Sequence, residues 1–306
     1  MKKSLKVLKY LPGLRDPRNS MSSSPFDWSS HQSFLTHWST PWLTAFTYVS
    51  LVLLANATLP NDQAPLSFRK RLQNWTRSSS IFYFVSVLHN SILILVSIYI
   101  FVGFLYGAHA YIQVHGYWHA LCPPPSAQYL TKGPPFLIIY IFYVSKYYEL
   151  LDTVLLACKG RRIIPLHAYH HMIMLPSMWL CFDGDLVSSL FGLAFFNSAV
   201  HIIMYTYYLF YAIGYKFSLH WKKWVTRLQI LQFVTGACGG TFFFLLYVTQ
   251  PSFSMTTGFN YIQGCAGKSY SILAVFIVNI SFLIFFIKFF QKTYRRSNEN
   301  TEKKLH

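Results

Sequence analysis

The sequence predicts an all-α polytopic membrane protein with seven transmembrane helices. Three observations predict it. Hydrophobic residues make up 53% of the 306 and charged residues only 11%, against about 25% charged in soluble domains. The apolar residues fall in runs of about 20, the length that crosses a bilayer as a helix. The Lys and Arg residues fall between those runs, mostly in alternate loops.

Taken in order, the candidate spans are roughly 42–59, 82–106, 136–157, 164–182, 186–211, 228–249 and 270–290. The first is preceded by a polar, basic stretch with no continuous apolar core of the signal-peptide kind, so the first span is expected to act as its own insertion signal. The fourth and fifth spans are weak in hydropathy because they carry histidines. A polar residue is tolerated in a span when it faces the bundle interior. The expected organisation is a lumenal tail over 1–40, one membrane domain over 41–291 and a cytosolic tail over 292–306.

The loop charges set the orientation. Residues 60–81 carry Arg69, Lys70, Arg71 and Arg77, and 158–163 carry Lys159, Arg161 and Arg162. Residues 214–227 carry Lys216, Lys222, Lys223 and Arg227, and the tail carries Lys292, Arg295, Arg296, Lys303 and Lys304. The intervening loops hold little positive charge: Lys132 in 107–135, none in 183–185, Lys268 in 250–269. The positive-inside bias then puts the C-terminus in the cytosol and the N-terminus in the lumen. The basic residues near the start (Lys2, Lys3, Lys6, Lys9) lie too far from the first span to oppose this. The final Lys303-Lys304-Leu305-His306 has the dilysine form of an endoplasmic reticulum retrieval signal, which requires a cytosolic C-terminus. The net charge of +17 is therefore read as topology, anionic lipid and a rim that attracts phosphorylated substrate, and not as nucleic-acid binding. Five cysteines follow no metal or redox spacing. Cys122 and Cys265 fall in lumenal loops, as a disulfide or as two unpaired thiols.

The chemistry concentrates in five spans. KYYELLDT (146–153) places Lys146, Glu149 and Thr153 on one helical face with Asp152 beside it. LHAYHHMIM (166–174) carries His167, His170 and His171 at i, i+3 and i+4, one side of a helix. Asn197, His201, Met204, Tyr205 and Tyr208 repeat at three- and four-residue steps in the fifth span. His89 and Asn90 lie in the second, and Thr226, Gln229 and Gln232 enter the sixth. Each of these alone is an ordinary buried polar group or, for Lys146 and Glu149, a structural ion pair. Their convergence from five helices points to a site, because ionisable groups in a membrane interior are costly unless they serve one.

Three functions fit such a site. Neutral imidazole is a nucleophile and its conjugate acid a proton donor near pH 7, which suits acyl transfer from coenzyme A in a cavity shared by a long acyl chain. Clustered histidines also suit a metal, either the two irons of HxxHH-box desaturases and hydroxylases or one ion on His167, His171 and His201. No second HxxHH accompanies the first box. A non-enzymatic seven-helix receptor or carrier is the third.

These blocks resemble the ELO family of very-long-chain fatty acid elongases, the 3-ketoacyl-CoA synthases of the endoplasmic reticulum. The similarity rests on Lys146-Tyr-Tyr-Glu149-Leu-Leu-Asp152-Thr153, His167-Ala-Tyr-His170-His171, Asn197-Ser198 with His201-Ile-Ile-Met204-Tyr205, and Thr226-Arg-Leu-Gln229-Ile-Leu-Gln232. It covers about residues 80–290, and the run 221–227 looks most like the fungal branch. The resemblance implies that helices two to seven form a barrel around an acyl-CoA tunnel. It implies condensation of acyl-CoA with malonyl-CoA to 3-ketoacyl-CoA, CO2 and CoA, by ping-pong through an acyl-imidazole, and products that serve as sphingolipid precursors. Carried over, His170 is the nucleophile and His201 orients malonyl-CoA or steadies its enolate. His167 and His171 orient His170 or bind the thioester carbonyl, and Glu149 and Asp152 fix the histidine tautomers. Asn197, Tyr205, Tyr208, Gln229, Gln232, His89 and Asn90 line the substrate. Lys146, Lys222, Lys223 and Arg227 meet coenzyme A phosphates. No cofactor or metal is implied beyond the two thioesters. The expected partners are membrane lipid, the ketoacyl reductase, dehydratase and enoyl reductase of the elongation cycle, and a second copy as homodimer.

Overall fold

The computed structural model describes residues 34–58, 71, 74–76, 78–123, 133–184, 186–249, 253–254, 258–259 and 265–302. Eight α-helices account for nearly all of them: α1 Ser39–Thr58, α2 Ser80–Leu121, α3 Gly133–Glu149, α4 Leu151–Cys158, α5 Pro165–Asp183, α6 Val187–Ala212, α7 Leu219–Thr249 and α8 Ser269–Glu302. One short pairing, Phe253–Ser254 against Gly258–Phe259, is the only extended structure among the described residues. Five helices are long and apolar enough to cross a membrane: α1, α2, α6 from Gly192, α7 to Leu246 and α8 to Tyr294. The protein is an all-helical, multi-span membrane protein.

The third and fourth expected spans differ from that simple pattern, for two physical reasons. The stretch expected as one helix over 136–157 breaks at Leu150 into α3 and α4. Short i→i−3 bonds, Leu150 to Tyr147 and Thr153 to Leu150, replace the α pattern there. The histidine helix α5 is 19 residues long and loses hydropathy to its imidazoles. Both are sheltered by other helices: Phe136, Ile139 and Tyr143 of α3 and Leu175, Met178 and Phe182 of α5 form the largest core cluster. α2 is longer than expected at 42 residues, about 63 Å at 1.5 Å per residue. It extends through much of the loop placed at 107–135, with a break at Gly116, whose φ of 81° suits glycine. α8 runs on past 291 to Glu302. The tail over 1–33 and the dilysine at 303–304 lie outside the described residues.

The helices pack in a continuous order: α2 on α6, α6 on α7, α7 on α8, α8 on α5, α5 on α3, and α3 back on α2. α1 stands outside this ring against α5. Its inner stripe, Pro41, Ala45, Tyr48 and Val52, is buried, while Leu43, Phe46, Leu51, Leu53 and Leu54 face outward.

One end of the ring is stapled. Cys122 and Cys265 are disulfide-bonded across 143 residues, and Ala266 N–H donates to Pro123 O at 2.7 Å. Lys268 N–H donates to Gly184 O at 2.7 Å. Gly184 is required at that close approach, because a Cβ there would lie 1.6 Å from Ser271 Oγ. Tyr143 and Trp179 donate to the carbonyls of Leu35 and Thr36 at the same end. The loops 159–164 and 213–218 lie at the other end, where the cavity described next has its mouth.

Candidate active site

The histidine helix starts where local chemistry dictates. Pro165 at the first turn needs no hydrogen-bond partner for its nitrogen and has a preset φ. Ile164 before it is extended, as a residue preceding proline prefers. From that start, His167, His170 and His171 fall on the side that faces a cavity of about 470 Å³. α6 contributes Asn197, His201, Tyr205 and Tyr208 to the same wall, α2 contributes His89 and Asn90, and α7 contributes Lys222, Gln229 and Gln232. Glu149 and Asp152 flank the break between α3 and α4 and also line it.

The floor is polar and buried. Lys146 and Glu149 are each 2% exposed and pair at 2.7 Å. Lys146 Nζ also donates to Asn197 Oδ1 at 2.9 Å, tying α3 to α6, and lies 4.3 Å from the centre of the Phe142 ring. Ser145 Oγ donates to Glu149 Oε1 at 3.3 Å. His201 Nδ1 lies 3.6 Å from the same carboxylate oxygen, an electrostatic contact rather than a hydrogen bond. Asp152 bridges two other helices: Oδ1 is 2.9 Å from His89 Nε2 and Oδ2 accepts from Tyr205 O–H at 2.7 Å.

The three α5 histidines are held differently. His167 Nε2 is 2.8 Å from Thr153 Oγ1. The His167 and His171 rings are 4.5 Å apart and those of His170 and His171 5.3 Å. His170 packs against Phe282 of α8. Its Nδ1 is buried without a hydrogen-bond partner among the described residues. An orphaned imidazole nitrogen beside a cavity is not committed to holding the fold.

The mouth is basic and the upper walls are apolar. Exposed Arg161, Tyr211 and Lys222 with half-buried Lys159 surround it, and Leu155, Leu156, Leu166, Phe233, Phe286 and Phe289 line the sides. Burial lowers the pKa of the Lys159 ammonium, and the charge of Arg161 lowers it further.

Several expected roles need correction. Lys146 does not meet phosphate: it is sealed in the floor with Glu149 and Asn197. Lys223 and Arg227 do not line the cavity. Lys223 lies over the Tyr294 ring, and Arg227 lies between the rings of Trp224 and Phe290. Thr153 turns away from Lys146 toward Tyr48 and His167, because the break at Leu150 rotates α4 relative to α3. It is Thr153, not Asp152, that bonds the histidine helix. Lys159 and Arg161 at the mouth carried only a topology signal in the sequence, and Tyr211 beside them carried none. Among the described residues no three His, Cys, Asp or Glu side chains are grouped as a set that could hold a metal ion.

The comparison that decides the family spans nearly the whole chain: residues 33–302 match the model of the ELO, or GNS1/SUR4, family. The chain belongs to the ELO family. Relatives include fatty acid elongase sre1 of Dictyostelium discoideum, 28% identical over 91% of this chain and 92% of that one. Fatty acid elongase A of the same organism is 31% identical over 71% of this chain and 74% of its own. Fatty acid elongase 1 of Trypanosoma cruzi is 32% identical over 60% and 59%. The ELO assignment covers every helix that lines the cavity.

Proposed function

We propose that this chain is a fatty acid elongase that condenses a long-chain acyl-CoA with malonyl-CoA. The observation that carries the proposal is the shared cavity: three histidines of α5 and His201 of α6 face one space whose mouth is basic and whose sides are apolar. The geometry suits a thioester whose phosphates stay at the mouth while its acyl chain runs among the helices.

In the proposed chemistry His170 attacks the thioester carbonyl of acyl-CoA. The C–S bond breaks, CoA leaves as a thiolate that takes a proton, and an acyl-imidazole forms. Malonyl-CoA then loses CO2 by cleavage of its carboxyl C–C bond. The resulting enolate is steadied by His201, whose orientation Glu149 sets. The enolate carbon attacks the acyl carbonyl, the C–N bond breaks, and 3-ketoacyl-CoA leaves with His170 restored. Leu166, Phe233 and Phe286 exclude water that would otherwise hydrolyse the acyl-enzyme. Lys159, Arg161 and Lys222 hold the coenzyme A phosphates.

The wider arrangement is part of the same proposal. The helix packing order supports a ring of six spans, with α3 and α4 counted as one, around an acyl tunnel, and α1 as a seventh span outside it. The basic mouth faces the cytosol and the disulfide end the lumen of the endoplasmic reticulum. The ketoacyl reductase, dehydratase and enoyl reductase act on the product, and two copies associate as a homodimer.

The test is a panel of acyl-CoA thioesters with labelled malonyl-CoA and purified protein, without NADPH. Wild type is expected to release labelled 3-ketoacyl-CoA and CO2, and His170→Ala to release neither. Absence of product from wild type across the panel would overturn the proposal.

A further inference from the structure

α1 stands outside the ring, yet it is joined to the site at two polar points. Asn56 Nδ2 donates to Ile163 O at 3.0 Å, and Ile163 N–H donates to Asn56 Oδ1 at 2.9 Å. This two-way clamp fixes the backbone between Arg161 and Pro165, at the mouth and at the start of the histidine helix. Two turns away, Tyr48 O–H lies 3.0 Å from Thr153 Oγ1. Thr153 Oγ1 lies 2.8 Å from His167 Nε2. Tyr48 and Thr153 are 7% and 6% exposed, so water does not compete for these bonds. Pro41, Ala45, Tyr48, Val52 and Asn56 follow steps of four, three, four and four, one face of a helix. The clamp at Asn56 therefore sets the register that brings the Tyr48 hydroxyl to Thr153.

The two bonds in series have one order that uses every proton. Tyr48 has Thr153 as its partner and one proton to place. If Tyr48 donates to Thr153, Thr153 donates to His167 Nε2, and His167 carries its own proton on Nδ1. The reverse order leaves the Tyr48 proton buried with no acceptor, at the cost of an unmade hydrogen bond. We infer that Tyr48 is a positioning residue for the histidine box: acting through Thr153, it selects the Nδ1–H tautomer of His167 and holds that ring against His171. An outer helix that would otherwise serve only as an anchor thereby decides which nitrogen of a site histidine is basic.

The activity arm of the test rests on the elongase proposal; the spectroscopic arm does not. Tyr48→Phe keeps the ring that packs on Val52 and Ile163 and deletes only the hydroxyl. With labelled malonyl-CoA, Tyr48→Phe and Thr153→Val are each expected to lower kcat about tenfold. KM for both thioesters should stay within about twofold, and melting temperatures should fall by only a few degrees, the cost of one unmade buried hydrogen bond. Thr153→Ser recovers most of what Thr153→Val loses. The double variant is no slower than Thr153→Val alone, because both changes break one chain. Independently, ¹⁵N NMR of histidine-labelled protein in lipid, with His167 assigned by its loss in His167→Gln, should show protonated Nδ1 in wild type and both tautomers in Tyr48→Phe. Full turnover in Tyr48→Phe, or one unchanged His167 tautomer in both proteins, overturns the inference. If wild type makes no 3-ketoacyl-CoA, the elongase proposal fails, and the spectra alone decide the role of Tyr48.

Discussion

Replacing Lys146 by Met removes one half of an ion pair whose members are each 2% exposed. The Glu149 carboxylate would keep only Ser145 as a near donor, and a buried charge that loses its partner costs about 3–5 kcal/mol. For a chain of this size that loss lowers the melting temperature by roughly 10 °C. Adding Glu149→Leu removes the stranded charge. What remains unpaired is Asn197 Oδ1, an omission worth about 1–3 kcal/mol, and Asn197 borders the cavity and can turn to water there. The double variant is therefore expected to regain roughly half of the lost stability, about 2 kcal/mol. That double variant is expected to be inactive even so, because His201 then lacks Glu149. The assay is thermal unfolding in detergent, followed by a thiol-reactive fluorophore that reports exposure of the buried Cys181, with Cys158 and Cys238 replaced by Ser. A Lys146→Met protein as stable as wild type, or a double variant less stable than Lys146→Met alone, would refute the reasoning.

Three further outcomes follow from the mouth and the staple. Lys222→Ala should raise KM for acyl-CoA about two- to fivefold at low salt and flatten its salt dependence, since an exposed charge acts through a screened field; kcat against KM at two ionic strengths checks this. Lys159 binds anions in its charged form, which is present below its pKa and lost above it. Because burial lowers that pKa, KM should begin to rise at a lower alkaline pH in wild type than in Lys159→Arg, and identical pH profiles would count against Lys159 as a phosphate contact. Reduction of the disulfide, or Cys122→Ser, should destabilise the protein by about 2–5 kcal/mol, because the bond closes a loop spanning 143 residues; thermal melts with and without reductant measure it.

Some of the site was legible in the chain because helical periodicity is local. His167, His170 and His171 at i, i+3 and i+4 must share a face, and so must Asn197, His201 and Tyr205 whenever their segment is helical. Scarcity helped: in a chain with nine acidic residues, two inside one apolar run stand out. Partnership was not legible. Lys146 has the charge of a phosphate ligand, and nothing in its neighbours says that Glu149 and Asn197 claim it. Thr153 shares a face with Lys146 only while the helix is unbroken, and the break at Leu150 carries no Pro or Gly to announce it. Lys159 and Arg161 read as topology because loop charge has that simpler use.

The sequence by itself determined the helical class, the membrane character, the ELO family motifs and the faces on which the histidines lie. These depend on composition and on contacts within one turn of helix, which a linear chain encodes directly. Only the tertiary structure decided that Asp152 bonds His89 and Tyr205, that Lys146 is sealed beneath the cavity, and that Tyr48 reaches the histidine box through Thr153. Those pairs come from different helices 51, 53, 63 and 105 residues apart. Which buried donor meets which acceptor is settled by how the packed helices are rotated against one another, and that rotation is a property of the assembled bundle.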